Sequence, residues 1–317
     1  MKIHIVGGGA IGLLHAGLLA QAGEDVTVWT RTEMQAERLR TEGIRLEMLN
    51  GIIRDIGVNS HSLASLEASQ AGQARMDAGQ SEAWIILTVK QSHIDERLLR
   101  QLQKLGGRQT ALLCLQNGIG HMEKLAAALP GAFLYAGVTS VGARRLDDAR
   151  QVRHTGDGPL WFGPYTEDKK DDNLQNLLLN ILKSAGLRAG LSNEMKDRIY
   201  QKLLINAVIN PLTAIYDTTN GELPQHPSRL KLMRSLFQET SAILAADGMK
   251  PGVDGWQLVM QVCSATAANV SSMLSDVRAG RQTEVDWING GVSGLARIHG
   301  MASPLNDAVT AFVKQLQ

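Results

Sequence analysis

The chain has 317 residues, 44% of them hydrophobic and 20% charged, and its 32 basic against 31 acidic side chains leave a formal net charge of +1 at pH 7. Such a length accommodates two domains of ordinary size, and so balanced a charge gives no electrostatic case for nucleic acid or an anionic membrane as partner. No apolar run approaches the roughly eighteen residues of a membrane span, and one short apolar strand leading into glycines is not a secretory signal, so a cytoplasmic protein is expected.

Met1 to Val6 alternates and is rich in Ile and Val, breaks into Gly7-Gly8-Gly9-Ala10-Ile11-Gly12, and resumes as a helical pattern through Leu19. Strand, glycine turn and helix form the context that a G-x-G-x-x-G match requires for dinucleotide binding. Gly7 permits the tight turn, Gly9 lets the backbone approach a pyrophosphate, and Gly12 lets helix and strand pack closely, with Gly8, Ala10 and Ile11 completing the cofactor-binding turn. The phosphates then meet free amides at a helix N-terminus. Gly23 closes this helix, and Asp25 to Trp29 is a second strand ending at Thr30, Arg31 and Thr32. NAD proteins place there the acid that bonds the ribose 2′-hydroxyl. A cation between two hydroxyls suits a 2′-phosphate instead, so NADPH is expected, although Glu33 stands close enough to serve a hydroxyl and an exposed arginine is elsewhere most often a solvated charge.

Glu33 to Glu42 reads as a short helix capped by Gly43, and Ile44 to Met48 and Ile52 to Val58 as strands around the hairpin signal Asn50-Gly51. Ser60 to Ser81, rich in Ser, Ala, Gln and Gly, reads as loop with one helical turn at most. Ala83 to Val89 and Thr110 to Gln116 are apolar runs of the buried parallel-strand type. They end at Lys90 and at Asn117-Gly118-Ile119-Gly120. Ligands of open α/β sheets collect at such carboxyl ends, which places Lys90 and Asn117 by cofactor and substrate, while Asn117-Gly118 alone is also ordinary turn chemistry. Phe133 to Val138, the segments around Arg144-Arg145 and Gln151 to His154, Leu160 to Gly163 and Leu187 to Leu191 add strands, and Asp171 to Ala185 an amphipathic helix.

Asn193 reads as a helix N-cap, and the domain boundary is set there: 1–192 an α/β dinucleotide-binding domain, 193–317 an all-α domain, with a ligand cleft between. Further helices are expected over Ser228 to Ala246, Gly255 to Val277, Thr283 to Ile298 and Pro304 to Leu316. In the first helix Lys202, Asn206 and Asn210 recur every four residues within an otherwise apolar surface. Burying an ammonium and two amides costs several kcal/mol unless they find partners, so the stripe faces a polar cavity, and a lysine whose proton affinity burial lowers is a natural donor to a carbonyl under reduction. The pattern alone fits equally a lysine that reaches the surface and asparagines bonded to loops. Cys114 and Cys263, the two cysteines, read as buried free thiols in neither a redox nor a metal-ligand spacing, and no metal is expected.

With these residues the chain resembles the ketopantoate reductase family, NADPH-dependent 2-dehydropantoate 2-reductases of pantothenate biosynthesis. The similarity runs end to end: Gly7-x-Gly9-x-x-Gly12, Arg31, Asn117-Gly-x-Gly120, Lys202-x3-Asn206-x3-Asn210-Pro211, Asn220-Gly221-Glu222-Leu223, Asn269-x-Ser271-Ser272-Met273 and Thr283-Glu284-x-Asp286-x-x-Asn289-Gly290. The resemblance implies Lys202 as the general acid and Glu284 as orienting the site at the junction of cofactor and substrate. It also implies Asn206, Asn210 and Ser272 as substrate holders, Asn117 between cofactor and substrate, a backbone contact at Ala143, and Asn269 and Asp286 in support. Taken alone, Ser271-Ser272 are small residues tolerated in a helix and Thr283-Glu284 an N-cap with an acidic first turn. One departure is visible: Val138 to Arg145 lacks a histidine common in the family. The partner is then a small 2-keto acid, with neither nucleic acid nor membrane involved and the protein a monomer or homodimer. A paralogue acting on another 2-keto acid and a non-catalytic NADP(H)-binding regulator are the competing readings.

Overall fold

The computed structural model describes residues 1–68, 83–106, 110–166, 169–250 and 254–317. The chain divides into two compact units, Met1–Gln116 with His121–Met195, and Asn117–Gly120 with Lys196–Gln317.

Among the described residues of the first unit the strands are β1 (Lys2–Val6), β2 (Asp25–Thr30), β3 (Ile44–Glu47), β4 (Ile53–Ile56), β5 (Asn59–Ser62), β6 (Ala83–Leu87), β7 (Ala111–Cys114), β8 (Phe133–Thr139), β9 (Gly142–Arg145), β10 (Gln151–Gly156), β11 (Leu160–Pro164) and β12 (Ala189–Leu191). Eight of them form one sheet in the order β12-β11-β8-β7-β6-β1-β2-β5, and four form a second, β4-β3-β10-β9. β1 runs parallel to both β2 and β6, so the chain leaves β1 toward one side and later returns on the other. A ligand site is favoured at the carboxyl end of such a switch point. The apolar runs of β1, β6 and β7 are buried, as strands in the middle of a parallel sheet are. Helix Ala10–Gln21 lies against β3, β4, β9 and β10 as well as β1 and β2. Gly17 makes this approach close: a Cβ there would meet the Leu46 side chain at 3.3 Å.

Several expected elements differ. The hairpin forms, with Gly51 at φ +79, but β3 and β4 end earlier than the alternation suggests and a wider loop joins Glu47 to Ile53. Ser60 to Ser62, expected as loop, belong to β5, parallel to β2; Ser60 and Ser62 are buried, and the Ser60 hydroxyl donates to the Val28 carbonyl at 3.0 Å. The expected helical turn is Ser65–Ala68, and 69–81 of that stretch lie outside the described residues. Both cysteines are buried free thiols.

The second unit contains helices Met195–Tyr216, Pro227–Ala246, Gly255–Ala265, Ser272–Arg278, Asn289–Ile298 and Pro304–Gln315, with no strand among the described residues. Helix Met195–Tyr216 begins two residues after Asn193, and it separates two apolar clusters. Leu203, Leu204, Ala207 and Ala214 face one; Val208, Ile209 and Leu212 face the other. Among the described residues no helix is long and apolar enough to cross a membrane.

Pro211 sits inside this helix without ending it. Proline deprives the carbonyl four residues back of its donor. That carbonyl belongs to Ala207, and the buried Asn289 amide donates to it at 2.9 Å. Asn289→Ala therefore leaves a buried acceptor unsatisfied and lowers stability by about 1–3 kcal/mol. Urea unfolding checks this as a lower midpoint at unchanged slope.

The expected helix over Gly255 to Val277 is two helices. At the break the carbonyls of Ala267 and Asn269 accept from the amides of Gly221 and Asn220, and Ser271 caps the second helix through the Leu274 amide at 3.1 Å. A Cβ on Gly221 would stand 2.5 Å from that of Ala267, so the backbones meet only through glycine. Likewise the helix expected from Thr283 begins at Asn289. Residues 284–288 form a turn in which the Glu284 carbonyl accepts from the amides of Trp287 and Ile288.

Candidate functional site

In the first unit the glycine turn leaves the end of β1. Gly7 adopts φ +124, and its carbonyl accepts from the Thr88 hydroxyl at 3.1 Å. A Cβ on Gly12 would overlap that same carbonyl oxygen and stand 2.6 Å from Thr88 Oγ1. A Cβ on Gly8 would enter the Gln35 amide, which donates to the carbonyls of Gly8 and Ala149 at 2.8 Å each. Gly9 is different. Its φ of −82 is open to any residue, and a Cβ there would meet nothing within 4 Å. No neighbouring protein atom requires glycine at that position, and no side chain caps the helix that follows. Open backbone at an uncapped N-terminus fits a dinucleotide pyrophosphate.

Arg31 stands exposed after β2, and Lys90 half-buried after β6. The two hydroxyls beside Arg31 are already engaged. Thr30 is buried and donates to the Thr32 carbonyl at 2.8 Å, and Thr32 caps the next helix by accepting from the Gln35 amide at 3.3 Å. The group that does face Arg31 is His93, with Nε2 3.5 Å from Arg31 Nη1. A single imidazole three places beyond Lys90 carries no spacing signal. Ala143 lies in β9 of the smaller sheet, paired with His154.

In the second unit three candidates come together. Asn117 donates from Nδ2 to Glu284 Oε2 at 2.8 Å. Gly118, at φ +81, has no room for a Cβ beside the Trp287 carbonyl, and the Ile119 amide donates to that carbonyl at 3.1 Å. The tetrapeptide Asn117–Gly120 is thus fastened to the 284–288 turn at two points. Burial pulls the Lys202 ammonium down from its usual range to about 8, and the nearby Glu284 charge works in the opposite direction. Thr283, next to Glu284, is held by Gln317, whose side chain donates to its hydroxyl at 2.9 Å and accepts from its amide at 3.2 Å.

Along helix Met195–Tyr216 the stripe deepens from half-buried Lys202 and Asn206 to buried Asn210. Thr213 next to it is hydrogen-bonded to Ser271 at 2.7 Å. Ser271 is the buried cap, whereas Ser272 is the exposed first residue of its helix. Asp286 pairs on the surface with Lys314 at 3.1 Å, and Asn269 contributes its backbone to the break described above. Among the described residues no cluster of three or more metal-ligating side chains forms. A protonated lysine with a lowered proton affinity, a carboxylate and a row of amides can together hold a small anion and protonate its carbonyl oxygen.

Two family models match the chain: ketopantoate reductase PanE/ApbA over residues 3–167, and ketopantoate reductase PanE/ApbA C terminal over residues 194–317. The 2-dehydropantoate 2-reductase of Bacillus subtilis (strain 168) is 33% identical over 317 residues, covering 100% of this chain and 98% of its own. That of Pyrococcus horikoshii is 31% identical over 318 residues, covering 99% and 97%. Among solved structures, a probable 2-dehydropantoate 2-reductase from Bacillus subtilis superposes with a TM-score of 0.81 at 31% identity, covering both chains fully. A D-mandelate dehydrogenase solved with NADH and anilino(oxo)acetate superposes with a TM-score of 0.86 at 25% identity, covering 100% of this chain and 98% of that one.

Proposed function

The chain belongs to the ketopantoate reductase family, and from that membership and the Lys202 site we propose that it reduces the ketone of 2-dehydropantoate to (R)-pantoate using NADPH. The observation that carries the reading is a half-buried lysine brought down to about 8, next to a carboxylate that an asparagine holds in place.

When bound, the dinucleotide supplies a hydride to the carbonyl carbon. Lys202 gives its proton to the ketone oxygen as negative charge develops there, which removes the cost of forming an alkoxide. Glu284 keeps that lysine protonated at neutral pH against the pull of burial. Asn117 fixes the carboxylate, so that the direction of this field does not wander. Asn206, Asn210 and Ser272 bind the substrate's carboxylate and hydroxyl. Gly7 to Gly12 receive the pyrophosphate, Arg31 and Lys90 bind the dinucleotide, and Ala143 gives it a backbone contact.

The pH dependence follows in sign. The acid must be protonated, so kcat is highest below the Lys202 value and falls as pH rises through about 8. Steady-state rates between pH 6 and 10 check this, and a rate that climbs through that interval would contradict a lysine acid.

A second reading, favoured by the superposition on a D-mandelate dehydrogenase, is the same chemistry on another 2-keto acid with NADH. Rates on 2-dehydropantoate and phenylglyoxylate, each with NADPH and NADH, separate the two. A regulator that has lost catalysis would turn over none of the four combinations.

A further inference from the structure

Arg31 and His93 meet at the carboxyl ends of two strands that flank β1. In the order β6-β1-β2, Arg31 follows β2, and His93 closes the short turn Gln91–His93 after β6. Their nitrogens are 3.5 Å apart. A guanidinium can only donate, so the ring nitrogen facing it accepts and the ring is neutral in this arrangement. The other charged groups about the ring are Lys90, whose carbonyl accepts from the His93 amide at 2.9 Å, and Asp95. Asp95 already caps the following helix, accepting from the Leu98 amide at 2.8 Å. Lys124 is close in sequence space to none of these but ties its ammonium to the Ile94 carbonyl next door. Arg31 and Lys90 thus lower the proton affinity of the ring, and Asp95 opposes them more weakly.

We propose that His93 is the second half of a phosphomonoester site with Arg31, and that binding the 2′-phosphate of NADPH draws a proton onto its imidazole. The proposal rests on the dinucleotide reading above and deepens it. Without an anion, burial and then the charges of Arg31 and Lys90 hold the ring below its ordinary proton affinity. A phosphomonoester brings nearly two negative charges and three acceptor oxygens at neutral pH, enough to reverse the sign of the field at the ring. Arg31 and protonated His93 then both donate to the phosphate, and their mutual repulsion is replaced by two charge-assisted bonds. NADH offers only a ribose hydroxyl at that position and leaves the ring neutral. Selection for NADPH is consequently coupled to proton uptake, and it weakens as pH rises. The ratio of the two affinities isolates this effect, because NADPH and NADH differ only in the 2′-phosphate and titration of Lys202 acts on both.

The test is isothermal titration calorimetry of NADPH and NADH at pH 7 in two buffers of different ionisation enthalpy, on the parent protein and on His93→Gln, with a thermal melt to show that the variant is folded. Expected is an uptake greater with NADPH than with NADH by roughly half a proton. In His93→Gln that difference disappears and NADPH affinity falls about tenfold, the scale of one charge-assisted hydrogen bond. Tighter binding of NADPH with the same proton count as NADH would overturn the proposal while leaving the NADPH reading intact. So would an excess uptake that survives in His93→Gln. Equal affinities for the two cofactors, or binding of neither, would overturn both.

Discussion

Lys202→Ala lowers kcat on 2-dehydropantoate by roughly 10²–10⁴, the usual contribution of a positioned general acid, while the dissociation constant for NADPH stays within about twofold. The two parts of this expectation come from two units of the chain. The glycine turn proposed to receive the pyrophosphate lies in the first, and Lys202 in the second. Removal of the ammonium also takes away the positive charge beside Glu284. Lys202→Arg is a sharper variant, since it keeps the charge but replaces a group near 8 with one that holds its proton throughout the working range. Its kcat should fall nearly as far. Were Lys202 only a structural residue, Arg would preserve activity and Ala would lower it by no more than the accompanying loss of stability.

Gly9→Ala raises the dissociation constant for NADPH at least about tenfold, because a methyl group there stands where the pyrophosphate must approach the backbone. Stability should change by less than about 0.5 kcal/mol, as for a surface substitution that meets no neighbour. Gly12→Ala makes the contrast. Its Cβ would overlap the Gly7 carbonyl, which the Thr88 hydroxyl holds in place, so the helix must shift and stability falls by about 1–3 kcal/mol. Fluorescence titration with NADPH and thermal melts on both variants check the pair. Equal loss of stability in the two would mean that Gly9 is held by the protein and not by a ligand.

The difference between these glycines shows what a sequence carries and what it omits. The spacing of Gly7, Gly9 and Gly12 encodes a backbone path, and the four-residue recurrence of Lys202, Asn206 and Asn210 encodes one side of a helix; both are local, and both are present in the structure. Contacts made across long separations leave no such trace. His93 reaches Arg31 across 62 residues, and Asn289 reaches the carbonyl that Pro211 leaves open across 82. The polar strand β5 is hidden for another reason. Serine favours turns because its hydroxyl competes for backbone groups, and Ser60 satisfies that hydroxyl on the neighbouring strand. Helices Glu96–Leu105 and His121–Ala128 are two elements that no motif or periodicity described above announces. The pairing of Thr30 and Thr32 with backbone groups is likewise invisible from composition, and it engages the hydroxyls that stand beside Arg31.

Proton donation by Lys202 to a ketone reduced by NADPH is open to one assay above others, NADPH oxidation followed at ~340 nm with 2-dehydropantoate in the parent and in Lys202→Ala, each checked for NADPH binding. Expected are rapid turnover by the parent, loss of roughly 10²–10⁴ in kcat for the variant, and unchanged cofactor binding. Near-normal kcat in Lys202→Ala would contradict proton donation by Lys202.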